Sequence, residues 1–481
     1  MVGGTHARRR HPIVPVVLLC FPLTLALAGA CMLPAAASAT SGRLDGWSMI
    51  DGTHHTYDAF TDVVTAPDGS VVATIGLDGD SLQIPLGAGV VKYAADGSKA
   101  WQHDVTVPHI AVAEVDPVAV VADPSGKVAV VADYMSATGA GVCVNVWSAD
   151  GAFLWSQTMA GAYGDQDWAR DIGMDELGNV YVAGGRVAAS SAKAAWVAKF
   201  AAPTVARGAA SLAWKKEIPA VGDWWDTGTT ALCITRSGGV FAAGMYRSAL
   251  KVSRAFLYHY STDGDLVWAR SWLGTRRKGV KSAVAQSMVL RGTTLDVCGD
   301  QLDSPGGTDF TVRSYTTAGH LRWQHVWGHA HLEDNARTVR LDGHGSLYVL
   351  GTRQTNQFSS HARWVLTKWS GTGRLQWVRD VPGEPSYYIP PASRLAVDAA
   401  GNAWVASTVK AHGIQQWEVV RLSASGKRLW KAQWAGIPTL SPLEGAVATA
   451  CTLCGQGRLV VVGAVSDQPQ MWNAGVGWYE R

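Results

Sequence analysis

A segment that ends in a small residue recurs eight times along this 481-residue chain. Each copy pairs a turn containing Gly with a short apolar run. The copies end at Gly76, Ala132, Gly184, Gly244, Gly299, Gly351, Ser407 and Gly463, which are 52 to 60 residues apart. So regular a period predicts a repeat protein, whatever number of domains the length alone would suggest.

A second periodic element, a turn followed by Trp, lies between these copies. It places Trp at positions 101, 155, 214, 268, 323, 377 and 430, which are 53 to 59 residues apart. A weaker copy near the N-terminus contains Trp47. Many of the 22 Trp residues are therefore periodic, and we expect these large rings to pack between successive repeats.

Each repeat contains four short strand-like runs. In the third copy they are RDIGMD, VYVAG, AWVAKF and LAWKKEI, rich in Val, Ala and aromatic residues. A single sheet of this size cannot bury both of its faces, so the copies must cover one another around an axis. The sequence predicts an all-β fold, a single β-propeller of eight four-stranded blades. Seven blades are the alternative if the first or fifth copy is irregular.

The two ends of the chain predict how such a propeller closes. After Trp430, the next Trp-bearing strand would fall beyond the last residue, and the terminal GVGWYER matches the third strand of a repeat. The segment around Trp47 is therefore expected to supply the fourth strand of the last blade, which would leave no open sheet edge.

Residues 1–39 are interpreted as a signal peptide, and residues 40–481 as the propeller. The basic ARRR at 7–10 precedes an apolar run, and Ala37-Ser38-Ala39 fits a cleavage site. The expected location is secreted or extracytoplasmic, and a lipid anchor through Cys31 is the alternative. No other stretch is long and apolar enough to cross a membrane.

Charge and cysteine content narrow the function classes. Without the leader, 38 Lys and Arg balance 38 Asp and Glu, which argues against a nucleic-acid partner because such partners require a basic surface. Among the five remaining Cys, Cys451 and Cys454 are close enough in sequence for a disulfide in an exported chain. The other three lie in apolar runs typical of a core.

Residues 164–200, GDQDWARDIGMDELGNVYVAGGRVAASSAKAAWVAKF, carry a family resemblance. They resemble the SBBP repeat, the "seven-bladed β-propeller" repeat of exported bacterial proteins, and the pattern recurs through most of 42–481. The turn-plus-Trp element is similar, less closely, to the tryptophan-docking repeats of quinoprotein dehydrogenases and of the outer-membrane assembly propeller. The SBBP resemblance implies export and a scaffold role, and no single reaction.

An Asp recurs about eleven residues before the turn Gly of several copies. The five are Asp58, Asp116, Asp167, Asp226 and Asp334. We place them in the loops that enter the innermost strands, around one mouth of a central channel. There they could bind a cation or a cationic ligand. The favoured alternative is that each Asp hydrogen-bonds the backbone of its own loop.

Two of these loops also contain histidine. His55 and His331 each stand three residues before one of these Asp residues, which could form a transition-metal site. The two loops belong to blades one and six, which are not adjacent in a ring of eight, so shared coordination is not favoured. A nucleophile elbow, a P-loop and a zinc-protease motif are absent from the sequence. No cofactor is predicted.

The function favoured by these features is that of an exported, non-enzymatic and monomeric binding scaffold at or beyond the cell envelope. Its expected ligand is a protein or a polysaccharide. The alternative is an enzyme, either a quinoprotein-like oxidoreductase or a hydrolase or lyase that acts on a polymer in the channel. The absence of an adjacent Cys pair argues against the oxidoreductase.

Overall fold

The structure is a computed structural model. It describes residues 44–50, 57–79, 87–160, 164–190, 193–203, 210–219, 227–247, 252–274, 282–302, 307–329, 331–355, 362–383, 394–411, 414–435, 445–455, 457–468 and 471–479. Residues 34–481 form one compact unit. Every regular element among the described residues is a β-strand. The proposed leader and Cys31 lie outside these residues.

The strands fall into groups of four that are consecutive in the chain. The first strand, β1 (Leu44–Ile50), stands apart from the rest in sequence. Group 1 contains β2 (Tyr57–Thr65), β3 (Val71–Gly79), β4 (Gly87–Tyr93) and β5 (Lys99–Asp104). Group 2 contains β6 (Val112–Ala122), β7 (Val128–Ser136), β8 (Gly139–Trp147) and β9 (Phe153–Ala160). Group 3 contains β10 (Gln166–Met174), β11 (Val180–Val187), β12 (Lys193–Ala201) and β13 (Ser211–Pro219).

The next groups repeat this plan. Group 4 contains β14 (Gly228–Ile234), β15 (Val240–Arg247), β16 (Ser253–Tyr260) and β17 (Leu266–Trp272). Group 5 contains β18 (Ala283–Arg291), β19 (Thr294–Gln301), β20 (Asp309–Thr316) and β21 (Leu321–Trp327). Group 6 contains β22 (Asp334–Leu341), β23 (Leu347–Gln354), β24 (Ala362–Trp369) and β25 (Leu375–Val381). Group 7 contains β26 (Leu395–Val397), β27 (Ala403–Ala411), β28 (Ile414–Leu422) and β29 (Arg428–Trp434).

Group 8 combines the two ends of the chain. It contains β30 (Ala446–Leu453), β31 (Leu459–Gln468) and β32 (Met471–Tyr479), and β1 pairs antiparallel with β32 so that Trp47 lies opposite Gly477. Neighbouring strands within every group are antiparallel and follow chain order. Groups 8 and 1, and groups 2 and 3, are each joined into one larger sheet by a single parallel residue pair.

The groups pack against one another through their first strands. β2, β6, β10, β14, β18, β22, β26 and β30 contact each other in that order, and β30 also contacts β2. The apolar core is divided accordingly into clusters between successive groups. One of these clusters lies between groups 8 and 1, where Phe60 and Val91 pack with Val460 and Val476. The predicted all-β propeller of four-stranded antiparallel sheets is confirmed at this level.

A β-bulge interrupts the first strand of most groups at the same place. In groups 1, 4 and 8 the extra residue is Thr61, Thr230 or Thr449. Each hydroxyl donates to a carbonyl on the next first strand: Thr61 to Pro117 at 3.1 Å, Thr230 to Ala285 at 2.7 Å, and Thr449 to Phe60 at 2.7 Å. The bulge thus provides side chains that link neighbouring sheets.

The periodic Trp residues form a second link between groups. Five indole Nε1–H groups donate to carbonyl oxygens in the last hairpin turn of the following group. The pairs are Trp101 with Ala149, Trp214 with Thr262, Trp268 with Thr317, Trp323 with Gly371, and Trp377 with Ala424, at 3.0–3.3 Å. These Trp residues therefore lie at the junctions between sheets, as their spacing predicts.

The first turn of each group also forms as the sequence predicts. In DELGN, the Asp175 carboxylate accepts the backbone N–H groups of Leu177 at 3.0 Å and Asn179 at 2.9 Å. Gly178 has a φ of +82°, in the left-handed region that glycine adopts without strain. The side chain of Asp342 holds the equivalent turn of group 6 through His344 and Ser346.

Candidate functional site

The predicted aspartates lie on the first strands rather than in the loops before them. Asp58, Asp116, Asp167 and Asp334 belong to β2, β6, β10 and β22. The strands begin earlier than the sequence pattern indicates, because their pairing with the second strands extends beyond the apolar run. Asp116 is half-buried and the other three are buried. Asp226 and His55 lie outside the described residues.

Asp334 holds its own loop. Its Oδ2 accepts the backbone N–H of His329 at 2.7 Å and lies 2.9 Å from His329 Nδ1. His331, the predicted partner, is exposed and has a φ of +66°. No cluster of three metal-ligating side chains occurs in the described part of the chain. The contacts of Asp334 therefore fit the structural alternative rather than a metal centre.

Asp167 belongs to an ion-pair network on group 3. Its Oδ1 lies 2.9 Å from Lys215 Nζ, which is 3.5 Å from the Glu217 carboxylate. Arg186 bridges Glu217 at 2.6 Å and Asp165 at 2.5 Å. Burial raises the pKa of Asp167, and the bond from Lys215 opposes that rise. The network gives this buried carboxylate a counter-charge at Oδ1, while its Oδ2 has no hydrogen-bond partner among the described residues.

Asp116 and Asp133 face each other across β6 and β7. They are direct partners in the strand register, which brings their Cβ atoms to about 5 Å. Burial raises the pKa of Asp116 to about 6, with a further contribution from Glu114. Burial raises the pKa of Asp133 to about 8, and the charges of Asp116 and Asp167 add to this. Burial thus favours the protonated form of both carboxyl groups, and for Asp133 the nearby charge of Asp116 adds to this effect.

Group 3 completes this site. The Asp133 Oδ1 accepts the Ala169 N–H at 2.7 Å, which ties the pair to the neighbouring first strand. The next residue, Arg170, is the extra residue of its bulge and is exposed. Its charge lowers the pKa of both carboxyl groups. We name Asp116, Asp133, Asp167 and Arg170 the carboxyl site.

The carboxyl site combines two of the predicted residues, Asp116 and Asp167, with two that sequence reasoning missed, Asp133 and Arg170. Asp133 follows the repeated small residue of β7, so it carries no positional signal of its own. Only the register of β6 against β7 places it opposite Asp116. A carboxylic acid, a carboxylate and a guanidinium in one place can hydrogen-bond hydroxyl or ammonium groups.

A separate polar layer crosses the first strands deeper in the fold. Arg340 on β22 interacts electrostatically with Asp62 on β2 and Asp171 on β10. Burial raises the pKa of Asp171 to about 7 and lowers the pKa of Arg340. Each carboxylate also accepts a backbone N–H from the following group, Val120 at 3.2 Å and Leu232 at 2.7 Å. These contacts identify the layer as part of the packing between groups.

The predicted disulfide does not form in the structure. Cys451 and Cys454 are both buried free thiols. Burial raises the pKa of Cys451 to about 12, so this thiol is protonated.

The described residues contain no helix long and apolar enough to cross a membrane.

One segment of the chain matches a known repeat family. Residues 155–184, from Trp155 on β9 to Gly184 on β11, match the SBBP β-propeller repeat. The resemblance seen in the sequence is thereby confirmed, and two residues of the carboxyl site, Asp167 and Arg170, lie within the SBBP match. The similarity to quinoprotein repeats stays a prediction.

Solved structures resemble the chain at low identity. A puromycin hydrolase S511A mutant complexed with PGG is 13% identical, with a TM-score of 0.47, and covers 85% of this chain and 58% of its own. Prolyl oligopeptidase B from Galerina marginata is 9% identical, with a TM-score of 0.43 and coverage of 86% and 55%. A protein of unknown function from Dyadobacter fermentans is 9% identical, with a TM-score of 0.41 and coverage of 92% and 99%.

The chain spans less than two thirds of the puromycin hydrolase and prolyl oligopeptidase chains. No curated protein sequence matches it.

Proposed function

We propose that the eight groups are the blades of one closed β-propeller, with β1 as the outer strand of the last blade. The Thr449–Phe60 hydrogen bond supports this, since it repeats between groups 8 and 1 the bond that joins groups 1 and 2 and groups 4 and 5. The pairing of Trp47 with Gly477 supports the role of β1.

This propeller serves as an exported binding scaffold, and its ligand, a polysaccharide or a protein, binds at the carboxyl site. The observation that carries the proposal is the facing pair of Asp116 and Asp133, which is half-buried and lies beside an exposed arginine. Asp334 differs from this pair because it is fully buried and its carboxylate is held by His329 of its own loop. Export rests on the basic and apolar leader at residues 1–39.

The test is a comparison of glycan-array and basic-peptide-array binding for residues 40–481 and for the Asp116→Asn/Asp133→Asn variant. Asp300→Asn is the matched control, because Asp300 accepts the Ala336 N–H just as Asp133 accepts that of Ala169. We expect the double variant to lose at least tenfold in affinity while the control retains it. Equal binding by all three proteins would rule out the carboxyl site.

The same pair favours a hydrolase as the second candidate. Carboxyl groups with pKa values of about 6 and about 8 can act as a base and an acid at neutral pH. This is tested by incubating residues 40–481 with each glycan that they bind and then measuring new reducing ends. A bell-shaped pH dependence that Asp133→Asn abolishes would support the enzyme, and absence of cleavage would leave only the scaffold.

A further inference from the structure

A row of three side chains crosses the second, third and fourth strands of groups 3, 4 and 6. In group 6 the row is Tyr348, Lys368 and Trp377. Lys368 lies over the Tyr348 ring, 3.4 Å from Asp342, and its ammonium donates to the Ala424 carbonyl at 3.1 Å. The lysine therefore fills the junction and links it to the next group.

Group 3 has the same arrangement. Its row is Tyr181, Lys199 and Trp214. Lys199 lies over the Tyr181 ring and donates to the Thr262 carbonyl at 3.1 Å, the same oxygen that accepts the Trp214 Nε1–H. A lysine in this row is thus a recurrent means of filling the space beneath the next turn.

Group 4 lacks both charged residues of group 6, the lysine of the row and the aspartate of the first turn. Its row is Phe241, His259 and Trp268, and the turn residue equivalent to Asp342 is Thr235. The His259 ring stacks on Phe241 with centroids 4.3 Å apart. No described group hydrogen-bonds its buried Nδ1. Both members of the lysine–aspartate pair are therefore replaced, and the shorter imidazole does not fill the junction.

A cavity of ≈ 800 Å³ occupies this junction. Phe241, Val267 and Trp268 supply apolar lining. Hydroxyl groups come from Thr235, Ser237, Ser261 and Thr262. The volume is typical of small-molecule sites. The turns that line the cavity follow the ends of the first and third strands of group 4. These two strands run in the same direction, so both turns lie on one face of the fold. The carboxyl site lies towards the opposite face, where the first strands start.

We infer that this cavity binds a neutral, hydroxyl-bearing ring, the chemical class of a sugar residue. The lining offers several hydroxyls and apolar ring surface, which together suit the polar edges and apolar faces of a sugar ring. No carboxylate lines the cavity, and Arg270 lies 5.5 Å from the Trp268 ring, so an ammonium ligand would lack a counter-charge. Burial also lowers the pKa of His259, which keeps the imidazole neutral.

The test uses saturation-transfer NMR on residues 40–481 with methyl glycosides of glucose, galactose and xylose. We expect at least one glycoside to bind with a dissociation constant on the order of 1 mM. n-Butylammonium, which imitates the missing lysine side chain, should not bind at this cavity, so it should not compete with the glycoside. Binding of butylammonium alone, or of no probe, would overturn the inference.

Two variants locate the site. Thr235→Asp/His259→Lys rebuilds the pair that group 6 already contains, so the protein should fold and lose at least tenfold in glycoside affinity. Val267→Asp places a charge at an exposed rim position, which leaves the core intact and should also weaken binding. Unchanged affinity in both variants would overturn the proposed site.

A third variant separates this site from the carboxyl site. Asp116→Asn/Asp133→Asn should retain the part of the glycoside signal that Thr235→Asp/His259→Lys removes, because those residues lie on the opposite face. If this variant loses the signal and Thr235→Asp/His259→Lys keeps it, the sugar binds at the carboxyl site and the present inference is wrong. The proposed function and the cavity can therefore fail independently.

Discussion

The indole Nε1–H of Trp377 donates to the Ala424 carbonyl, 3.1 Å away, in a turn of the following group. Gly426 in that turn lies against the same ring, and its carbonyl accepts the Arg379 Nε–H at 2.8 Å. A Cβ at Gly426 would stand 2.9 Å from Trp377 Cδ2. The turn thus approaches the ring as closely as glycine permits.

Gly426→Ala should destabilise the protein through both backbone strain and this contact. At a φ of +77°, alanine costs about 1–2 kcal/mol, and overpacking against the ring adds about 1–3 kcal/mol. Gly292→Ala is the control, because Gly292 also has a positive φ but a Cβ there meets nothing within 4 Å. Urea denaturation should show a larger loss for Gly426→Ala, and equal losses would contradict the close ring contact.

Lys215→Met should destabilise the protein, because it leaves the buried Asp167 carboxylate without its counter-charge. Removing one partner of a buried pair costs about 3–5 kcal/mol when the remaining group stays charged. Without Lys215, the pKa of Asp167 rises further, so the variant should be most destabilised at pH 8 and much less so at pH 5. Thermal unfolding at the two pH values measures this. Adding Asp167→Asn should recover most of the loss, and a pH-independent loss would argue against the ion pair.

The stability of the protein should depend on the proton held by Asp133. Its folded pKa of about 8 exceeds the unfolded value of 3.8, so the folded state binds more protons between these values and stability falls as pH rises through that range. Asp133→Asn keeps the acceptor for the Ala169 N–H and removes the charge. It should raise the melting temperature at pH 8 by roughly 2 °C or more and have little effect at pH 4. Stabilisation at pH 4 alone would contradict the raised pKa.

Thr449→Val tests whether the last group is joined to the first as the others are joined. The matched variant is Thr230→Val, because each hydroxyl also contacts a second-strand carbonyl, Val462 at 3.0 Å or Ala243 at 3.2 Å. Losing the hydroxyl should cost about 1 kcal/mol in both. Equal costs in denaturant unfolding would support the closed ring, and a negligible cost for Thr449→Val alone would count against it.

The repeats made the sheets predictable, because four-strand periodicity, turn glycines and the spaced Trp residues are all local signals. The placement of Asp58, Asp116, Asp167 and Asp334 was less accurate, since the first strands begin before the apolar runs that mark them in the sequence. Asp133 could not be found, because its partnership with Asp116 depends on register between strands. The cavity beside His259 could not be predicted from the sequence for a similar reason. It exists because the following group covers a space that the histidine side chain does not fill.

The five acceptors for the junction indoles are Ala149, Thr262, Thr317, Gly371 and Ala424. They comprise three residue types because the accepting atom belongs to the main chain. Each group therefore needs to preserve its own tryptophan and the glycine that lets the receiving turn approach the ring, while the residue that supplies the carbonyl can vary in sequence. Recognition through a main-chain carbonyl lets the copies diverge in sequence after duplication. It also lets an additional copy join the array without a matching side chain in its neighbour.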